Sequence, residues 1–276
     1  MKVVLFCGGF GTRLREYSET TPKPLVPVGD RPILWNLMRY YAHYGHNEFI
    51  LCLGYKGLMI KEYFMQYREW ESNDFRLEHG NGHVELFNRD VQDWNVTFVD
   101  TGTASNIGQR LVAVRHLLAG EDVFLANYAD GLSDLDLTKQ LEHFRQARAV
   151  ASFARVRPSQ TFHTVSCGDD GLVQRIAPVQ ESDVWVNGGH FILSREIFDY
   201  IRPGEELVDE PFSRLVDEKR LVGYRHDGFF ASMDTFRDKR RFDEMHDKDD
   251  RPWEVWQPKR CRGVMSAVES VVGEVR

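Results

Sequence analysis

The sequence predicts an α/β fold in which a mainly parallel sheet is covered by helices on both faces. Strand-like and helix-like apolar patterns alternate along the chain, which is typical of this class. A glycine-rich turn follows the first predicted strand, and a carboxylate, Asp130, follows a later one. Ligands of such sheets bind at the carboxyl ends of the strands, so we expect both features at one edge.

The individual elements follow from the spacing of apolar residues. Continuous apolar runs predict buried strands, and three- or four-residue spacing predicts helices. The predicted strands are 2–6, 48–53, 96–100, 122–128 and 150–156, and the predicted helices are 33–44, 58–67, 110–118 and 138–147. Since no repeat or low-complexity linker interrupts this pattern, we expect one Rossmann-like domain over residues 1–246. Residues 247–276 would form a tail that packs on the core or on a neighbouring subunit.

The turn after the first strand is a candidate phosphate-binding loop. Gly8, Gly9 and Gly11 leave backbone N–H groups open to an anion, while Arg13 and Lys23 add positive charge. It is not a P-loop, because no Lys-Ser or Lys-Thr follows, and the dinucleotide fingerprint lacks its third glycine. For the glycines alone, a tight turn with solvated cations is an equally good interpretation.

The longer string is more specific than its glycines. Gly-Gly-Phe-Gly-Thr-Arg-Leu is followed by Thr-Pro-Lys-Pro-Leu, and the combination resembles the signature of the sugar-nucleotide pyrophosphorylases. These nucleotidyltransferases have a GT-A-like fold and join a sugar 1-phosphate to an NTP. The resemblance implies that the loop, with Thr12 and Arg13, wraps the triphosphate and that Lys23 holds phosphate at the reacting centre.

Two aspartates are candidate metal ligands. Asp130 alone could be an ordinary strand-end turn residue, but Asp234 also follows an apolar, aromatic run. Magnesium takes few protein carboxylates and completes its shell with water and phosphate oxygens. Tyr-x-Asp-Gly and Met-Asp-Thr look like the glucose-1-phosphate cytidylyltransferase branch of the family. That resemblance implies that Asp130 and Asp234 hold Mg²⁺, with Mn²⁺ as the alternative.

Further motifs match this branch in order and spacing over residues 1–246. By resemblance, Gly54 lies near the nucleotide, and the Gly-x-Arg-Leu that contains Arg110 helps to form the pyrimidine pocket. The sugar side would be lined by residues of Trp-Val-Asn-Gly-Gly, namely Trp185, Asn187 and Gly188.

One departure concerns the sugar phosphate. The family carries a phosphate-clamping lysine in Glu-Lys-Pro before this last motif, and here Pro178 stands at that position. A charge-assisted phosphate contact contributes about 1.5–3 kcal/mol of binding. Arg155, Arg157 or Arg175 could compensate, or the second substrate could differ from glucose 1-phosphate.

Composition excludes several other classes. The net charge of −7 argues against nonspecific nucleic-acid binding and against a basic, membrane-binding surface on the protein, and no apolar run is long enough for a membrane helix. The four cysteines are widely spaced, so we expect reduced thiols in a cytoplasmic protein. We also expect a homo-oligomer.

The functional expectation is an enzyme that transfers a nucleotidyl group from a pyrimidine NTP, CTP being favoured, to a sugar 1-phosphate. Two alternatives remain. The protein could bind a finished nucleotide-sugar and modify it, as Pro178 would suggest, or it could be a non-catalytic nucleotide-sugar sensor.

Overall fold

A central eight-stranded sheet organises the chain in the computed structural model, which describes residues 1–9, 20–71, 73–80, 82–87, 93–159 and 162–257. The strands of this sheet are β1 (Val3–Phe6), β4 (Glu48–Leu53), β7 (Asn95–Asp100), β8 (Val123–Tyr128), β10 (Ala151–Val156), β13 (Val186–Asn187), β14 (Phe191–Ser194) and β15 (Leu221–Arg225). The described helices are α1 (Ile33–His43), α2 (Gly57–Met65), α3 (Ile107–Ala113), α4 (Leu137–Ala147), α5 (Ile197–Tyr200), α6 (Glu210–Asp217) and α7 (Phe236–Asp247).

Four two-stranded sheets surround it. They pair β2 (Pro27–Val28) with β3 (Arg31–Pro32), β5 (Phe75–Glu78) with β6 (His83–Leu86), β9 (Gly131–Ser133) with β16 (Phe230–Ser232), and β11 (His163–Cys167) with β12 (Val173–Pro178).

The central sheet has a parallel half and a mixed half. Strands β7, β4, β1 and β8 lie side by side and are all parallel. Beyond β8, β14 pairs antiparallel with β8, and β10 pairs antiparallel with β14. On β10, β13 pairs antiparallel and β15 pairs parallel. The predicted α/β fold with a mostly parallel sheet is therefore confirmed.

The core lies on both faces of this sheet. Along β1, Val3 and Leu5 pack into a cluster that includes the apolar face of α1, while Val4 and Phe6 pack into a second cluster with Leu111 of α3. Alternate residues of a strand point to opposite faces, so a strand buried on both sides is apolar throughout, as β1 is.

One predicted helix is wrong in its bounds. The sequence places a helix at 110–118, whereas α3 begins at Ile107 and a separate 3₁₀ turn covers Arg115–Leu118. Asn106 explains the earlier start, because its side chain accepts a hydrogen bond from the Gln109 backbone and the Gln109 side chain accepts one from the Asn106 backbone. This reciprocal cap satisfies N–H groups of the first turn.

The described part of the C-terminal segment packs on the core. The ring of Trp253 is buried against Phe229 and Phe242, and Trp256 contacts Trp35. Cys7 and Cys52 are buried free thiols and Cys167 is an exposed one, as expected, while Cys261 lies outside the described residues. Within the described ranges, every helix is too short or too polar to span a bilayer.

Candidate active site

Lys23 stands at the start of a tight turn beside the carboxyl end of β1. Pro22 precedes it and Pro24 follows, and the 3₁₀ turn Lys23–Leu25 closes with a hydrogen bond from the Leu25 N–H to the Pro22 carbonyl (2.8 Å). Proline fixes φ near −65° and so restricts this turn. The side chain of Lys23 is only 14% exposed and points towards the sheet edge.

Asp130 and Asp234 are brought together by the small sheet formed by β9 and β16. Asp130 immediately precedes β9, and Asp234 lies two residues after the end of β16. The strands pair Gly131 with Ser232, and the Met233 N–H donates to the Asp130 carbonyl (2.8 Å). Two carboxylates more than 100 residues apart in the sequence are thereby fixed at one point.

The Lys23 ammonium bridges these two carboxylates. Its Nζ lies 2.5 Å from Asp130 Oδ2 and 2.8 Å from Asp234 Oδ1. Burial alone would lower the pKa of Lys23, but the two carboxylates outweigh it and raise the pKa. The lysine is therefore a cation at neutral pH. The predicted reacting-centre residues Lys23, Asp130 and Asp234 do meet.

A first cleft of about 350 Å³ opens beside this centre, a volume within the usual range for small-molecule sites. Its lining includes Lys23, Asp130 and Asp234. The N-terminus of α3 and Glu206, which contact each other, also line it. Gly9 and Tyr128 also line it.

Arg110 lies in the floor of this cleft and is almost completely buried. Its guanidinium donates to the carbonyls of Leu53 and Gly8 (3.0 Å each) and to the Thr101 hydroxyl (2.7 Å). A Cβ at Gly8 would lie 2.0 Å from this group, and one at Gly54 would lie 2.9 Å from it. Gly8 and Gly54 thus leave room for the guanidinium, and Arg110 joins the carboxyl ends of β1, β4 and β7.

A second cleft adjoins the first. Asn127, Asn187 and Gly188 line it, together with Asp130 and Asp234, which belong to both clefts. Tyr128 separates the two, because its ring also lines both and its hydroxyl accepts a hydrogen bond from Asn187 Nδ2 (3.5 Å). The predicted sugar-side residues Asn187 and Gly188 therefore lie beside the reacting centre.

Trp185 is not among the described residues that line either cleft. Three guanidinium groups instead lie over its ring. Their Cζ atoms are 5.2 Å (Arg155), 4.1 Å (Arg157) and 5.1 Å (Arg225) from the ring centroid. Arg225 also pairs with Asp227. The cluster borders the second cleft, because Val186 follows Trp185 and lines it.

Pro178, which occupies the position of the family lysine, is half-buried at the end of β12. It pairs with His163 across the hairpin, and the next residue, Val179, donates its N–H to the Phe162 carbonyl (2.8 Å). Arg157 reaches the segment that follows, where it donates to the Ser182 carbonyl.

The donor set at Asp130 and Asp234 fits magnesium. Among the described residues, no group of three or more His, Cys, Asp and Glu side chains is placed to hold a metal. A two-carboxylate site suits Mg²⁺, which completes its octahedron with water and phosphate oxygens. The oxygens of both carboxylates already converge on one cationic atom, Lys23 Nζ.

Other predicted loop residues, namely Gly11, Thr12 and Arg13, lie outside the described residues. Tyr128 and Glu206 were not predicted as site residues. Tyr128 could have been found as the residue two before Asp130, at the same strand end. Glu206 carries no motif, and only the tertiary packing of its segment brings it to the cleft.

The chain is similar to known proteins over most of its length. Residues 2–228 match the family described as "Nucleotidyl transferase". The chain is 36% identical over 258 residues to the "Probable glucose-1-phosphate cytidylyltransferase" of Bacillus subtilis (strain 168), covering 93% of this chain and 100% of that protein. It is 34% identical over 259 residues to the glucose-1-phosphate cytidylyltransferase of Salmonella typhi, with the same coverage.

Solved structures share the fold. The apo UDP-glucose pyrophosphorylase structure superposes with a TM-score of 0.66 at 15% identity, covering 90% of this chain and 99% of that one. HddC from Yersinia pseudotuberculosis gives a TM-score of 0.59 at 20% identity, covering 89% and 99%.

Proposed function

The chain belongs to the nucleotidyl transferase family and is a sugar-1-phosphate nucleotidyltransferase, and we propose that it transfers CMP from CTP to glucose 1-phosphate with the help of Mg²⁺. The observation that carries this proposal is the Lys23 ammonium held between Asp130 and Asp234 at the junction of two clefts. One cleft suits the nucleotide and the other the sugar phosphate.

The reaction needs no protein nucleophile. An oxygen of the sugar 1-phosphate attacks the α-phosphorus of the NTP, forming one P–O bond while the bond to the leaving pyrophosphate breaks. Both reactants are polyanions, so catalysis consists mainly of positioning and of charge neutralisation. Lys23 supplies a fixed cation where the phosphates must meet, and Mg²⁺ held by Asp130 and Asp234 would neutralise further phosphate charge.

The choice of CTP and glucose 1-phosphate is supported by the relatives. Those with 34–36% identity over nearly the whole chain are named glucose-1-phosphate cytidylyltransferases. More distant ones include a heptose 1-phosphate guanylyltransferase from Campylobacter jejuni at 25% identity. The family thus accepts several bases and sugars, and the similar proteins favour cytosine and glucose here.

The test is pyrophosphate release. The purified protein is mixed with glucose 1-phosphate and CTP, UTP, dTTP or GTP, with Mg²⁺ or with EDTA. We expect release with CTP and Mg²⁺, and none with EDTA. Efficient turnover only with another nucleotide would contradict the CTP assignment, and full activity in EDTA would contradict the metal assignment.

A second candidate rests on Pro178. The missing family lysine would weaken the hold on a free sugar phosphate, which favours a protein that binds a finished nucleotide-sugar and modifies it. If no sugar 1-phosphate yields pyrophosphate while CDP-glucose binds tightly in calorimetry, this alternative replaces the proposal.

A further inference from the structure

Glu206 lies in the nucleotide cleft without a motif to explain it. It is half-buried in a segment that packs against the start of α3, and it lines the same cleft as Lys23 and its two aspartates. A carboxylate repels a triphosphate, so the phosphates belong at the Lys23 end and the nucleoside at the Glu206 end.

The carboxylate of Glu206 is held in a fixed orientation. Its Oε2 accepts the N–H of Ile107 (3.2 Å), and its Oε1 accepts the N–H of Leu207 (2.9 Å). Each carboxylate oxygen has about two lone-pair sites, so one on each oxygen remains available to a ligand. Such a group accepts hydrogen bonds and cannot donate them while it is ionised.

Gly108 explains how this segment comes so close to α3. A Cβ at Gly108 would lie 2.3 Å from the Glu205 carbonyl, so no side chain fits there. Asn106 adds a hydrogen bond from its Nδ2 to the Gly204 carbonyl (2.9 Å). The glycine of the Gly-x-Arg-Leu motif therefore admits the segment that delivers Glu206 to the cleft.

Tyr128 shows where along the cleft Glu206 acts. Burial raises the pKa of Tyr128, and the negative charges of Glu206 and Asp130 raise it further. Both carboxylates therefore act electrostatically on the Tyr128 hydroxyl. Tyr128 also lines the first cleft together with Asp130 and Glu206. With the α-phosphate beside Asp130, as the proposed function has it, the next part of the nucleotide is the ribose, and we expect Glu206 to face it.

We propose that Glu206 is a specificity residue that accepts a hydrogen bond from a ribose hydroxyl of the nucleotide and so selects ribonucleoside over deoxyribonucleoside triphosphates. This inference rests on the proposed function, because it assumes that the first cleft holds the NTP. It concerns the sugar of the nucleotide and not the base.

The test compares Glu206→Gln with Glu205→Gln. Glutamine keeps the shape and an acceptor oxygen but loses the charge. Glu205 is the matched control, since it stands in the same segment, pairs with Arg214 and does not line the described cleft. For each variant, kcat/KM is measured with CTP, UTP, 2′-deoxy-CTP and 3′-deoxy-CTP.

We expect the wild type to prefer CTP over at least one deoxy analogue. Glu206→Gln should reduce that preference about tenfold, because a charge-assisted hydrogen bond is roughly twice as strong as a neutral one. Glu205→Gln should leave the preference unchanged.

Three results would overturn the assignment. The first is wild-type turnover that is equal for CTP and both deoxy analogues. The second is an equal loss on all four nucleotides in Glu206→Gln, which indicates a structural role. The third is a changed CTP-to-UTP ratio with unchanged ribose discrimination, which indicates contact with the cytosine amine.

These results are distinguishable from failure of the proposed function. An active enzyme without ribose discrimination leaves nucleotidyl transfer intact. If the wild type releases no pyrophosphate at all, the same four nucleotides are titrated by calorimetry, and the loss of CTP-over-deoxy preference in Glu206→Gln is read from Kd instead.

Discussion

The two clefts that meet at Lys23 are built differently. The first lies over four parallel strands, and its floor is a buried arginine with three hydrogen bonds to strand ends. The second lies over the mixed half of the sheet, where β13 has two residues and the β11–β12 hairpin exposes Val165, Val173 and Ile176. The first cleft, where we propose that the nucleotide binds, is thus cross-linked by buried hydrogen bonds, and the second cleft has fewer such constraints.

This difference indicates how the lining of the second cleft can change while the lining of the first cleft stays the same. Asp130 and Asp234 are fixed by β9 and β16, and neither strand belongs to the hairpin that carries Pro178. Ser133 Oγ donates to the Phe229 carbonyl (2.9 Å) and so helps to hold this pair of strands together. We therefore expect that a substitution in the β11–β12 hairpin can change the preference for the second substrate without displacing Asp130 and Asp234.

The largest expected effect concerns the residues that both clefts share. Asp130→Asn and Asp234→Asn should each lower kcat at least about a hundredfold, because each removes a negative charge that orients Lys23 and would bind Mg²⁺. The measurement is steady-state pyrophosphate release, with a melting curve for the fold. Asp199→Asn, an exposed aspartate of α5, is the control and should behave as wild type. Near-normal kcat in both active-site variants would remove them from the reaction.

Sequence patterns predicted the parallel half better than the mixed half, for a physical reason. Buried strands such as β4 are continuous apolar runs, and 48–53 agrees with the structure at both ends. In contrast, β13 and β16 are too short for periodicity to be visible, and the exposed β11–β12 hairpin lacks an apolar pattern. Among the predicted site residues, Lys23, Asp130 and Asp234 come from motifs and meet in the structure. Glu206 was missed because only long-range packing brings it to the cleft.

The second prediction breaks the rigid floor of the first cleft. Arg110→Ala should lower the free energy of unfolding by about 3 kcal/mol, since three buried hydrogen bonds of the guanidinium are lost, among them its bond to the Gly8 carbonyl. Urea denaturation measures this. Arg115→Ala is the control, because Arg115 is exposed and its guanidinium lies over the Phe198 ring, a contact worth about 0.5–1 kcal/mol. Equal losses in the two variants would show that the Arg110 hydrogen bonds contribute little to stability.

The third prediction concerns a titratable group beneath the second cleft. His190 is 1% exposed, and its backbone N–H donates to Asn127 Oδ1 (3.1 Å). Neither nitrogen of its imidazole ring has a hydrogen-bond partner among the described residues. Burial lowers the pKa of His190 to about 3. The unfolded chain takes up the proton near pH 6.5 and the folded chain does not, so stability falls as the pH drops below 6.5.

For this single group, the free energy of unfolding should fall by about 2 kcal/mol between pH 7 and pH 5. His190→Asn should remove that part of the pH dependence, and asparagine tolerates the left-handed backbone at this position (φ 48°). Urea denaturation of both proteins at the two pH values provides the comparison. If the free energy of unfolding falls equally in the wild type and the variant between these pH values, His190 is protonated in the folded state at pH 5.

The smallest effect is expected for a substitution that restores the missing lysine near the second cleft and leaves the first cleft unchanged. Pro178→Lys should lower KM for glucose 1-phosphate about tenfold and leave KM for CTP unchanged, since a lysine near a phosphate in a partly dehydrated cleft adds a charge-assisted contact. Pro178→Ala is the control, because it removes the ring without adding charge. Arg157→Ala in the wild-type background should raise KM for glucose 1-phosphate if that arginine now meets the phosphate. An unchanged KM in Pro178→Lys, with a raised KM in Arg157→Ala, would mean that the Trp185 cluster already replaces the family lysine.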